Sequence, residues 1–485
     1  MKKVILALAA AAGMVLAQGL GAEEPVGATV VESPEQGGAG DQLPGEQVSP
    51  AQAGGIQAGG IRIGGQVRTD DRVSAESTPQ MNYQEYRLDL TTEARPSDKA
   101  RFFADAWVRS SGVQSNVSSS ADLFNEGSVS PLNLLLREAY FEINGFIFDN
   151  VDIKIGRQRI AWGTADKLNP TDNVNPYDLE DIWDFGRHLG SDGVQLSVYA
   201  GDIQFTGVVI PVFTPAVLPA GDWAAALMPS SMQLPPGLTV AATTANVTLP
   251  SVSLAQSLTA GIKVKGSILG YDVSVCYLYA RDSLPLVDNV VVTPVSASSV
   301  NVRTNLLYPR EHIFGADMAG SILSVGVWAE AAVFLPEKVM LRTDTTALLG
   351  SVQESVALDD TPYVKFVLGG DYTFPGNIYL NVQYVHGFFQ ERGADNLEDY
   401  FVFGLDWKLF DDKLKISPLG MVVEIKDWRD IPNNYAILAA PSIAFYPIDN
   451  AELIMGVHLI QGASSTTFGQ LNNNNEVFLQ ARYSF

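Results

Sequence analysis

The chain has a single cysteine, Cys276, and four histidines, His188, His312, His386 and His458, with no recurring spacing. One thiol cannot form an intramolecular disulfide, and these scattered residues offer no zinc-like ligand set, so no metal and no cofactor is assigned. Basic residues are also scarce: 31 Lys and Arg stand against 54 Asp and Glu, for a formal net charge of −23. That balance disfavours phosphate backbones and excludes nucleic acid as a partner. Beyond residue 22 no run of ~18 apolar residues occurs, so no transmembrane helix is available. No Ser, His and Asp spacing stands out either, which leaves an enzyme as the least supported class.

What is present is apolar character without apolar blocks. The chain is 46% hydrophobic with a mean hydropathy of +0.09. Lys2 and Lys3, the apolar stretch Val4 to Ala17 and the small residues after it have the layout of a cleaved export signal. Cleavage after Ala22 is favoured over Ala17, giving a signal peptide over 1–22 whose removal takes the net charge from −23 to −25. Residues 23–59 are rich in Gly, Pro, Ala, Glu and Gln and cannot bury a core; the composition predicts a disordered periplasmic linker.

From 60 to 485 the pattern has period two. In the last strand Val477, Leu479, Ala481, Tyr483 and Phe485 point one way, and Glu476, Phe478, Gln480, Arg482 and Ser484 the other. The same alternation predicts strands over 60–68, 83–94, 99–109, 134–145, 150–161, 191–200, 202–212, 257–267, 270–281, 311–319, 322–333, 362–374, 377–388, 397–409, 412–425, 434–446, 449–461 and 475–485. Their links alternate between tight turns, such as Phe374-Pro375-Gly376-Asn377, and long loops. That asymmetry predicts an all-β fold: a transmembrane antiparallel up-and-down barrel of about eighteen strands (16–18) in a bacterial outer membrane, with short periplasmic turns and long extracellular loops. Tyr372, Phe374, Tyr379, Trp407, Phe410, Phe445 and Tyr446 cluster beside the turns as a periplasmic aromatic girdle. The terminal strand ending in Phe485 reads as a signal for barrel-assembly machinery, while the outward face meets lipid and lipopolysaccharide.

Charges on the other face must point inward, because a midplane Arg or Lys in lipid costs ~2–4 kcal/mol. The predicted pore lining comprises Arg62, Arg68, Glu85, Arg87, Asp89, Arg101, Asp105, Arg109, Glu138, Tyr140, Glu142, Asp152, Lys154 and Glu330. These charges either set a selectivity field or neutralise one another across strands. Arg157 and Arg159 break the pattern. Either Gly156 flips the phase as a bulge, or both arginines lie above the hydrocarbon near lipid phosphates.

After this strand come Gly156-Arg157-Gln158, Trp162-Gly163, and Asn169-Pro170-Thr171-Asp172 followed by Asn175-Pro176-Tyr177-Asp178. With Gly326-Val327-Trp328-Ala329-Glu330-Ala331, this pattern resembles a broad family of outer-membrane barrel porins that includes alginate-export-type and uncharacterised porin-like barrels. The resemblance implies an eighteen-stranded barrel whose third outer loop narrows the lumen. Trp162, Asn169, Asp172, Asn175, Asp178, Asp181, Asp184 and Arg187 are the predicted constriction residues. The loop's carboxylates and Asn oxygens suit calcium, but their spacing fits no calcium-loop template. The loop from Phe213 to Leu254 is unusually apolar and is read as a lid or lumen plug. The resulting expectation is a channel for small solutes or ions. The alternatives are a sheath around, or an export channel for, a periplasmic partner: a cytochrome conduit or polymer export.

Overall fold

The computed structural model describes residues 56–58, 60–75, 78–111, 117–219, 223–224 and 238–485. The signal segment and most of the linker lie outside these residues. Eighteen strands form the wall: β1 (Ile61–Ser74), β2 (Met81–Ser97), β3 (Ala100–Ser111), β4 (Leu132–Ile143), β5 (Val151–Gln158), β6 (Ser191–Ala200), β7 (Ile203–Ile210), β8 (Thr259–Ile268), β9 (Tyr271–Arg281), β10 (Arg310–Ile322), β11 (Val325–Pro336), β12 (Tyr363–Phe374), β13 (Ile378–His386), β14 (Asp399–Leu409), β15 (Leu414–Ile425), β16 (Tyr435–Ala439 and Ser442–Phe445), β17 (Ala451–Gly462) and β18 (Glu476–Ser484).

Each strand pairs antiparallel with the next. β18 pairs with β1 and closes the ring, with Gln66 opposite Ser484 and Ser74 opposite Glu476. The closure is tied off where Phe485 and Gly65 exchange backbone hydrogen bonds of 3.0 and 2.9 Å. The fold is therefore a closed eighteen-stranded antiparallel barrel, and its strands are those the alternation predicts. The break in β16 falls at Pro441, which has no N–H to give the ladder.

The outward face is apolar and uncovered by protein: Leu134 is 73% exposed, Val275 57%, Phe314 50% and Leu479 49%. Only a hydrocarbon surround makes such a belt stable. No helix among the described residues is long and apolar enough to cross a membrane. Phe374, Trp407 and Phe410 belong to this outer face. Two expected girdle residues do not. The Tyr379 hydroxyl donates to Asp371 and that of Tyr446 to Glu452, so both turn into the barrel, where a phenol finds a partner.

Two further differences from the sequence reading follow from pairing. β1 runs to Ser74 rather than stopping at residue 68, because Asp70 and Arg72 keep the inward phase and pair with each other inside the wall. Six additional strands were not expected: Ile56–Ala58, which pairs antiparallel with Ile61–Ile63 inside the segment read as a disordered linker, and five in the outer loops. Segments of the fourth, fifth and sixth outer loops (Thr239–Val247, Leu286–Pro294, Ser299–Leu307, Val339–Asp344 and Val352–Leu358) form a separate sheet around Val290, Val292, Val300 and Val302.

Candidate functional site

The third outer loop, residues 159–190, contacts inward-facing residues on opposite sides of the wall. Apolar loop residues grip one side of the wall. Ile160, Trp162 and Val174 pack with lumen-facing side chains of β7, β9, β10 and β11, including Val208, Leu278, Ile313 and Phe334. Ala165 and Leu168 join Val367, Val385, Tyr400, Val422 and Leu438 across β12 to β16, with Ile182, Trp183 and Phe185 against the same cluster. Trp183 also stacks on His458 of β17, ring centroids 3.7 Å apart. A water-filled lumen gives apolar side chains no reason to face inward, so their presence here marks where the loop lies. Fully burying each contributes about 1.5–3 kcal/mol.

The loop's acids meet arginines on the opposite side. Asp181 accepts from Arg72 of β1, and Glu180 accepts from Arg109 of β3 at 2.6 Å to each carboxylate oxygen. Asp178 pairs with Arg137 of β4 at 2.7 Å and with Arg187 at 2.9 Å. Asp172 pairs with Arg159 and accepts the Trp162 N–H at 3.2 Å. Asp184 has Arg187 at 3.9 Å. Burial alone would push these carboxyls up, but Arg159 beside Asp172, Arg187 and Arg137 beside Asp178, and Arg72 beside Asp181 hold all three below the usual carboxylate range.

Neutral groups shape the rest of the loop. Asn175 accepts the Ile160 N–H at 2.7 Å and donates to the Gln158 carbonyl at 3.1 Å, while Asn169 donates to the Ala165 carbonyl at 2.6 Å. Among the described residues no group of three or more His, Cys, Asp or Glu is placed to hold a metal ion.

Glu330 of β11 differs from the other wall charges. It is 2% exposed and accepts the N–H groups of Thr164, Ala165 and Thr171 at 2.9, 3.1 and 2.7 Å, and the Thr171 hydroxyl at 2.8 Å. It is an anchor for the loop rather than a free charge in the lumen. Gly163 sits against this carboxylate at φ +92, and an added Cβ would lie 2.5 Å from Oε2, so only glycine fits.

The remaining wall charges concentrate on β1 to β5. Arg87 lies over the Trp107 ring at 3.9 Å and beside Asp89 at 2.8 Å and Glu85 at 3.5 Å. Arg137 covers the same ring at 4.3 Å. Arg101 bridges Glu93 and Glu142, each at 3.1 Å, and donates to the Tyr140 hydroxyl. Arg68 pairs with Asp70 at 3.0 Å. Glu138 accepts the Arg159 N–H at 2.8 Å, and Lys154 lies 4.5 Å from the Tyr140 ring centre. Asp152 accepts the Gly145 N–H at 2.9 Å, and Arg62 is exposed at the turn end of β1. Asp105 carries a buried oxygen with no hydrogen-bond partner among the described residues.

Arg157 and Arg159 divide between the two alternatives. The register runs unbroken through Gly156, opposite Tyr140, so no phase flip occurs. Arg157 faces outward and pairs with Asp192 at 2.8 Å, whereas Arg159 lies beyond the strand and turns inward. Alternation alone misses Arg137, because an irregularity in the pairing of β3 with β4 lets Arg137 and Glu138 both face the lumen. It also misses Asp70 and Arg72, although they continue the phase of Arg68.

Between the loop and the β3–β4 wall lies a cavity of about 470 Å³, bordered by Asp105, Arg137, Glu138, Arg159, Asp166 and Arg187. A second cleft of about 170 Å³ separates the loop from the β14–β18 wall. Of the apolar loop 213–254, residues 220–222 and 225–237 lie outside the described residues, and with them most of the lid expected there. Val217 pairs with the backbone of Tyr177 and Leu179, and Trp223 meets Trp183 edge-on at 6.3 Å.

No family model and no curated protein matches the sequence, so the resemblance to alginate-export-type barrels gains no family match. Among solved structures, a Salmonella typhi OmpF complex with daunomycin is similar at a TM-score of 0.39 and 9% identity, over 89% of this chain and 100% of that one. OmpT (in-vitro folded), an outer membrane protein of Vibrio cholerae, gives the same TM-score, identity and coverage. At that overlap the likeness carries no argument of its own; the closed eighteen-stranded barrel rests on the chain's own strand pairing.

Proposed function

We propose that the chain is a bacterial outer-membrane channel for small solutes or ions, its lumen narrowed by the inward-folded third outer loop. The observation that carries this reading is the two-sided hold on residues 159–190. Apolar clusters press the loop against β7–β17, and a 470 Å³ polar space stays open along the arginine-bearing wall of β3 and β4. A barrel of this strand number is too wide for side chains to fill, so water occupies what the loop leaves. The space is lined by Arg137, Arg159, Lys167 and Arg187 and by Asp105, Glu138, Asp166, Asp172 and Asp184, a mixture that gives the path only modest ion selectivity.

A sheath around a periplasmic protein, or an export route for a polymer, needs an unobstructed lumen, and the loop stands across it. The reading is tested by reconstituting folded, heat-modifiable protein in planar bilayers. A discrete single-channel conductance, with a reversal potential only modestly displaced from zero in a salt gradient, is the expected result. Folded protein that never conducts in repeated reconstitutions would end the channel reading.

A further inference from the structure

The cleft between the loop and β14–β18 has a composition that an aqueous passage does not need. Val402, Val422, Leu438, Ile454 and Phe478 face inward from five consecutive strands, and Phe185 faces them from the loop. Val422 and Leu438 also pack with the loop, yet beside them a space of about 170 Å³ remains unfilled. That is on the order of the ~150 Å³ apolar cavity that accepts benzene.

At the lip of this space stands Lys167, held at φ +63 on the loop. Among the described residues no carboxylate lies within ion-pair distance of its ammonium and it makes no side-chain hydrogen bond, although the adjacent Asp166 attracts it; the neighbouring charges are held in direct ion pairs. Arg72 is engaged by Asp181 and Asp70, Arg68 by Asp70, and Asp184 shares Arg187. Lys167 and Asp184 border the 470 Å³ cavity as well as the cleft, so the same two loop residues face both spaces. Lys167 is thus a basic side chain shared by the polar space and the apolar recess.

We infer that this cleft is a binding subsite for small organic anions with an apolar body, of the class of an aromatic monocarboxylate. The carboxylate meets Lys167, with Arg68 facing it, and the ring lies on Val422, Leu438 and Phe478. The inference deepens the channel reading, because it names the solute class the passage would favour, but binding itself requires no current.

Equilibrium binding of benzoate, acetate and benzylammonium to the folded full-length chain in detergent, followed by ligand-observed NMR, tests it. Benzoate is expected to bind about tenfold more tightly than either control. Lys167→Asn removes the charge while keeping a residue tolerant of positive φ, and should weaken benzoate about fivefold. Val422→Thr, nearly isosteric, should weaken it about threefold and leave acetate unchanged. Equal binding of acetate, equal binding of benzylammonium, or an unaltered affinity in folded Lys167→Asn each overturns the subsite. Benzoate binding without conductance overturns the channel reading alone, and conductance without benzoate binding overturns the subsite alone.

Discussion

Arg109 of β3 holds Glu180 of the third loop through both terminal nitrogens, each 2.6 Å from a carboxylate oxygen, across 71 residues of chain. This paired geometry fixes direction as well as distance. Glu180 is 35% exposed, so solvent screens part of the attraction. Arg109→Glu should cost about 1 kcal/mol, roughly a fivefold rise in the population of the released loop, read as more frequent large-conductance events. Arg109→Glu combined with Glu180→Arg should recover most of the loss. A double-mutant cycle with no coupling would show that the pair does not hold the loop.

Glu330 offers a second and stronger hold, because one buried carboxylate satisfies three loop N–H groups and a hydroxyl. Glu330→Gln keeps the volume but replaces one acceptor with a donor facing other donors. A loss of about 2 kcal/mol, roughly thirtyfold in loop opening, is expected. Open-state lifetimes and single-channel noise measure it, with heat-modifiability confirming that the barrel has formed. Quiet, wild-type currents from the folded variant would place the anchor elsewhere.

The response to acid follows from the lowered carboxyl pKa values of Asp172, Asp178 and Asp181. A depressed folded-state pKa contributes stability that is fully present above the unfolded value, near ~3.9, and is lost as pH falls through the folded value. The loop should stay clamped from neutral pH down to about pH 4 and release only below that. Conductance should then rise in acid while the barrel remains intact. A steep change between pH 5 and 7 would assign the control to other groups.

Deleting Asn169 to Asp181 removes both Asn-Pro turns and the partners of Arg159, Arg137 and Arg72. Conductance should rise severalfold, and larger solutes should be taken up faster. An unchanged conductance from a folded deletion variant would move the narrowest point to the loop 213–254.

Phe485 exchanges two backbone hydrogen bonds with Gly65 at the seam where β18 meets β1. Its removal leaves the ring's last rung, at Gly65, without its partner. The yield of folded, heat-modifiable protein in the outer membrane should fall. An undiminished yield would show that closure and recognition by the assembly machinery lie further up the strand.

Period-two alternation determined all eighteen wall strands, because lipid outside and water inside impose opposite demands on adjacent residues. Tight turns facing long loops then set which end of each strand lies where. The third loop was legible as a narrowing element through the pattern Trp162-Gly163, Asn169-Pro170 and Asn175-Pro176 that carries the family resemblance. Its partners were not legible. Alternation assigns a side chain to a face of the wall and is silent about what stands opposite across the lumen. Glu330 therefore read as one lumen charge among many until Thr164, Ala165 and Thr171 came against it. Arg137 was hidden by a local irregularity that places two successive residues on one face. Inward valines and leucines such as Val208, Val422 and Leu438 do not fit a wetted wall, and only the folded loop shows what they pack against. The outer sheet escaped for a related reason. Its strands come from three loops and owe their pairing to contacts between segments far apart in the chain, which no local pattern encodes.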